Sequence, residues 1–189
     1  MFSRGRRRRW LLLGVPVAML IAAAMAGCGK GRSGCDICPQ PFQYPAFDTP
    51  QHAILNLTNA WERRDSVRTR LVYDDAYQGT STDSYSTLTF TKDQEVAVVW
   101  AMGKDPNIVS IHFTTPPENT WVRQHYASDP AGWAAIQIPG VSVQVDDAVQ
   151  GTLVASGMAL FEFKLVPTLD SSSPTDTTWK VIRWTEVKN

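Results

Sequence analysis

Apolar residues recur along this chain with two periods, and the change from one to the other falls near residue 108. Before it, Ala53, Ile54, Leu57, Ala60 and Trp61 return every three or four positions, the spacing that lines one face of an α-helix. Thr49 supplies an N-cap and Pro50 takes the first helical position, where a missing N–H costs nothing, so the pattern predicts a helix from about Pro50 to Arg64. Asp65 or Ser66 is placed to cap a second, short helix, with Val67 and Leu71 expected to face inward before Tyr73. Asp74-Asp75 and the stretch Gly79 to Ser86 read as its stop, because short polar side chains compete for the backbone and glycine unlocks it. Thr91-Lys92-Asp93-Gln94 then forms a capping box ahead of Val96, Val99, Trp100 and Gly103, predicting a packed third helix that Lys104-Asp105-Pro106-Asn107 ends.

From Ile108 onward the period is two, as in half-buried strands. Val109, Ile111 and Phe113 are expected on one face of the first strand, and Ile108, Ser110 and His112 on the other. Trp121 to Tyr126 is a second candidate. Ile136-Gln137-Ile138 and Val141 to Val145 make a third, interrupted by Pro139-Gly140 as at a bend or bulge. Met158 to Val166 and Trp179 to Trp184 complete the set, separated by the polar turn Asp170 to Thr178. Helices first and antiparallel strands afterwards is the α+β pattern, N-terminal helices packed on one face of a curved antiparallel sheet.

The first 27 residues follow another logic. A basic start (Arg4, Arg6, Arg7, Arg8, Arg9) leads into an apolar run from Trp10 to Ala26, then Met25-Ala26-Gly27-Cys28. This is the layout of a bacterial secretory signal closing on a lipobox, in which Cys28 becomes the lipid-bearing N-terminus after cleavage. The run from Leu11 to Ala26 contains Pro16 and is shorter than the roughly 20 apolar residues of a bilayer span, which argues against an uncleaved anchor. The expected organisation is a signal peptide at 1–27, a flexible Gly- and Pro-rich tether at 28–48 and an α+β domain at 49–189. Phe42, Tyr44 and Phe47 are expected to lay their rings on the domain as it begins. The implied location is the cell envelope, held to the membrane through the lipid; Gly29 after the cysteine implies the outer membrane if the host is Gram-negative.

Charge changes the picture once the leader is set aside. Five of the 18 Lys+Arg residues and none of the 18 Asp+Glu residues lie in positions 1–27, which leaves 13 basic and 18 acidic side chains, a net of −5. Nucleic acid, which wants a basic stripe, is not an expected partner. Of three cysteines, Cys28 is assigned to lipid and Cys35-Asp36-Ile37-Cys38 remains as a pair. Its place among glycines, with no strand before it, favours a small structural disulfide in the tether, with redox chemistry and metal binding as alternatives. His52, His112 and His125 show no ligand spacing, and neither metal nor cofactor is expected.

Two stretches resemble the nuclear transport factor 2-like superfamily, the cystatin-like cone fold. They are Pro50 to Asp75, with Trp61-Glu62-Arg63-Arg64-Asp65 closing the long helix, and the final strand Trp179-Lys180-Val181-Ile182-Arg183-Trp184. Thr91 to Gly103 departs from the commonest members, where strands come sooner. The resemblance implies an inner cavity between sheet and helices, in which enzymes of the superfamily place a carboxylate base with tyrosine and acid partners. Candidates for such roles are Tyr73, Asp74, Asp75, Tyr77, His112, His125 and Tyr126; spacing selects none of them, and Asp74 and Asp75 read better as solvated acids past a helix C-terminus. Trp61, Trp100 and Trp184 sit in apolar-periodic elements and are expected in the core, whereas Trp121 and Trp133, beside loops, join Tyr73 as candidate ligand contacts.

Two functions are therefore carried forward. The first, preferred, is a non-enzymatic lipid-anchored domain binding a protein or a small apolar ligand. The second is a small isomerase- or dehydratase-type enzyme using a cavity carboxylate. They separate on whether any Asp, Glu or His side chain projects into an enclosed pocket.

Overall fold

A computed structural model of the chain describes residues 42–124, 129–168 and 177–188. Residues 1–41, among them Cys28, Cys35 and Cys38, and residues His125 and Tyr126 lie outside the described residues. Helix α1 spans Pro50–Glu62, its N-cap Thr49 accepting from His52 N at 3.0 Å. It ends on a Schellman turn, in which Asp65 N donates to Ala60 O and Arg64 N to Trp61 O. Arg64 occupies the left-handed position of that turn, at φ 56°, where glycine is usual. Helix α2 (Ser66–Val72) follows from its cap Asp65, and helix α3 (Lys92–Lys104) starts on the Thr91/Gln94 capping box read in the sequence.

The sheet has seven strands: β1 (Tyr73–Thr82), β2 (Thr87–Thr91), β3 (Ile108–Thr114), β4 (Val122–Gln124), β5 (Trp133–Asp147), β6 (Gly151–Pro167) and β7 (Thr177–Lys188). Their order is β2-β1-β7-β6-β5-β3, with β4 pairing β5 off this path. The sheet is mixed: β1 and β7 run parallel, and the remaining pairs are antiparallel. The last strand of the chain thus sits in the middle of the sheet, joining the β1–β2 hairpin to the meander of β5 and β6.

Irregularities of register curve this sheet around the helices. In β5, Ile136 and Ile138 point inward, Gly140 takes φ 80°, and Val141 and Val143 point inward beyond it, so the buried parity switches at the break between Ile138 and Val141. A second break, between Ile108 and Ser110, turns Val109 out to 68% exposure while Ile111 and Phe113 stay buried. That corrects the single-face reading of this strand. Two helical expectations change as well. Thr69 and Val72 are the buried residues of α2, leaving Val67 and Leu71 on its outer side, and Trp100 is 57% exposed because Glu95, Val96 and Val99 occupy the inward face of α3.

The core joins Ala53, Ile54 and Leu57 of α1 to Phe161 and Phe163 of β6 and Val181 of β7. Phe161 and Phe113 stack on Trp184 with centroids 5.2 and 5.8 Å away, and Trp61 meets Trp184 edge-on at 6.3 Å. The outer edge of the sheet, β3, is guarded by α1: Phe113 N donates to Glu62 Oε1 at 3.1 Å and Arg64 Nη2 donates to Val109 O at 2.8 Å.

Residues 42–48 lie on the domain rather than away from it. The Arg68 guanidinium sits between the rings of Tyr44 and Phe47, 4.6 and 4.4 Å from their centroids. It also donates to Asn56 Oδ1 and, at 3.0 Å, to Pro45 O. Tyr44 Oη donates to Asp65 at 3.0 Å, Trp179 N donates to Phe47 O at 2.8 Å, and Arg63 covers the Phe42 ring.

Candidate functional site

Side chains of α1, α3, the β1–β2 hairpin and strands β5, β6 and β7 together border a half-open space beside the core. It holds a cavity of about 220 Å³. Trp61 and Trp184 form its floor, Val141, Val143 and Ala155 one wall, and Phe90 and Val98 the other. Gly79, Thr80 and Ser81 of β1 complete it, and Glu95, Glu186 and Lys188 bring charge to it.

Glu95 is the group that decides its chemistry. The fourth residue of α3, it is 91% buried because the face it shares with Val96 and Val99 packs inward. Its Oε1 accepts from Tyr77 Oη at 3.3 Å. Its Oε2 has no hydrogen-bond partner among the described residues and is open to the cavity. Burial raises the carboxyl pKa to about 7; the Tyr77 hydroxyl opposes that shift, and the nearby charge of Glu186 adds to it. Tyr77 itself is pushed well above its ordinary value, by burial first and then by the charge of Glu95.

The pair fits only because of Gly79. A Cβ at that position would stand 2.5 Å from Tyr77 Oη and 3.1 Å from Glu95 Oε1. Tyr77, Gly79 and Ser81 share the inward face of β1, so the strand gives up one side chain to let the tyrosine lie along it. Tyr73 lies behind, fully buried, its ring 4.0 Å from that of Tyr77. Tyr73 Oη and the indole N–H groups of Trp61 and Trp184 are buried with no partner in hydrogen-bonding geometry among the described residues.

The other sequence candidates fall elsewhere. Asp74 accepts from Ala76 N in a local turn, and Asp75 pairs with Lys92 at 2.8 Å on the surface. His112 is on the outer face of the sheet, 3.8 Å from Asp146, which is already held by Ser110, Gln144 and Thr152. Trp121 packs on the core with its indole donating to Pro116 O, and Trp133 lines a separate shallow depression with Leu160 and Glu162. Of the candidates, Tyr77 is tied to the cavity through its hydroxyl on Glu95, with Tyr73 packed behind it and neither ring lining the space, and Glu95 is the residue sequence reasoning passed over. Its signal was present: Glu95 stands four residues before Val99 on the apolar face of a helix. No group of three or more potential ligands is placed to hold a metal ion, and no helix is long and apolar enough to cross a membrane, among the described residues.

Solved structures with this fold are numerous. A conserved protein from Planctomyces limnophilus superposes with a TM-score of 0.51 at 12% identity, over 74% of this chain and 92% of its own. A nuclear transport factor 2-like superfamily protein from Salmonella enterica serovar Typhimurium gives 0.50 at 7% identity, over 70% and 83%. No protein-family model and no curated protein sequence matches the chain. The likeness is one of architecture: the domain has the nuclear transport factor 2-like cone fold, with helices on a curved, open sheet.

Proposed function

We propose that this domain binds a small, largely apolar molecule in the cavity between α3 and the sheet, and that Cys28 carries it on the cell envelope as a lipoprotein. The observation that carries the ligand reading is a mostly apolar cavity with a buried carboxylate, Glu95, on its wall, whose second oxygen is open to it. Pre-formed, apolar and sparsely polar is the usual character of small-molecule sites. Calorimetric titration of the full-length chain with benzyl alcohol tests it. Ala155→Leu, which fills the wall, should weaken binding by about tenfold or more, the worth of one or two methylenes of lost space, without lowering the thermal midpoint. Equal affinity in the two proteins would place the ligand elsewhere. For the anchor, Cys28→Ser should abolish palmitate labelling and leave the uncleaved precursor; persistent labelling would refute it.

A second reading, proton transfer, is favoured by one observation: Glu95 titrates near neutrality beside a tyrosine hydroxyl, as a general base requires. Exchange of the α-protons of cyclohex-2-enone in deuterated buffer would detect it. Glu95→Gln should lower that rate by about a hundredfold or more. Exchange no faster than in buffer alone would remove this reading and leave the binding one intact.

A further inference from the structure

Given that the cavity is a ligand site, as proposed above, we infer that its occupant is a cation: a small apolar amine, bound as its ammonium with the nitrogen against the open Oε2 of Glu95 and with Glu186 as second counter-charge. Two carboxylates line this cavity against one ammonium, Lys188. Lys188 ends β7, and its charge also reaches Asp83 on the β1–β2 turn. The remaining walls are apolar or carry hydroxyls. An anion entering here would add a third negative charge to a poorly solvated space, and a neutral molecule would leave the repulsion between Glu95 and Glu186 in place. An ammonium removes that repulsion and gives Oε2 a charge-assisted hydrogen bond.

The charged and titratable groups that face Glu95 are Tyr73 and Tyr77 from β1 and Glu186 and Lys188 from β7. Both tyrosines stay protonated across the neutral range, so Glu95 is the group that changes charge there. An ammonium selects its ionised form and expels the proton to the buffer. The apparent affinity is then scaled by the ionised fraction of Glu95.

The test is calorimetry of the full-length chain with benzylamine, benzyl alcohol and benzoate at pH 8 and pH 6, benzylamine being protonated at both. At pH 8 benzylamine should bind about tenfold or more tighter than benzyl alcohol, and benzoate weakest, as expected for one charge-assisted hydrogen bond. Benzylamine should weaken by about tenfold at pH 6, where most of Glu95 is protonated, while benzyl alcohol does not. Glu95→Gln should abolish both the preference for the amine and its pH dependence while retaining the alcohol. Benzyl alcohol or benzoate binding as tightly as benzylamine, or an amine preference unchanged in Glu95→Gln, would overturn the cationic occupant and leave the cavity a ligand site. Failure of all three probes to bind would overturn the ligand site as well.

Discussion

Arg68 and Glu95 are both charges drawn out of water, and the fold treats them in opposite ways. Arg68 has two aromatic rings against its guanidinium, the carbonyl of Pro45 and the amide oxygen of Asn56. Glu95 has one tyrosine hydroxyl, a like charge nearby and an unclaimed oxygen. A partly buried charge held by several partners fastens structure, here the N-terminal segment to α1 and α2. One left half-met keeps free energy available for something that is not yet there, and the difference separates the clasp from the site.

That contrast predicts mutations of opposite sign. The largest effect is expected from Glu95→Gln. The folded-state pKa of Glu95 lies above its unfolded value, so ionisation favours unfolding: the penalty is absent below about pH 4.5, grows as the unfolded chain ionises, and is complete above about pH 7. Chemical denaturation should show the variant more stable than the parent at pH 8, by on the order of 3 kcal/mol, and unchanged near pH 4. A variant no more stable at pH 8 would mean that Glu95 is already satisfied. Arg68→Ala should do the reverse, destabilising the domain by about 2 kcal/mol in urea at neutral pH because Asn56 Oδ1 loses its donor, the Pro45 carbonyl keeps only Asn56 Nδ2, and the Tyr44 and Phe47 rings lose their cation. A loss within a few tenths would show that the clasp is ornamental. The smallest effect is expected from Gly79→Ala, at about 1 kcal/mol of overpacking. It should push the Tyr77 hydroxyl off Glu95 and raise the carboxyl pKa further, read directly by NMR titration of the Glu95 side-chain carbon; a lowered pKa would refute the packing described for that pair.

The helices were legible in the sequence because their ends are written in side chains: Thr49 and Pro50 for α1, Asp65 for α2, the Thr91/Gln94 box for α3. The strands from Ile108 onward were legible through alternation, and Pro139-Gly140 did mark a bulge. β1 was read as the stop of a helix, and β2 was not picked out as a strand, for a reason that concerns the site itself. The inward positions of β1 beyond Tyr77 are Gly79 and Ser81, small because the cavity occupies the volume that large apolar residues would otherwise fill. Where a fold makes room for something else, it erases the hydrophobic period by which a strand is recognised. Glu95 was missed similarly: an acid in the first turn of a helix reads as a partner for the helix dipole, and only the tertiary placement of α3 shows that it is enclosed.

The position of β7 has a consequence for how the domain comes into being. The 12 residues of β7 follow every other described strand in sequence and yet occupy a central place, one neighbour parallel and the other antiparallel. Without them, the hairpin and the meander are two fragments with facing open edges and nothing to bridge them. Assembly of the sheet therefore waits for β7, and a chain cut short before Thr177 would leave the hairpin unjoined to the meander.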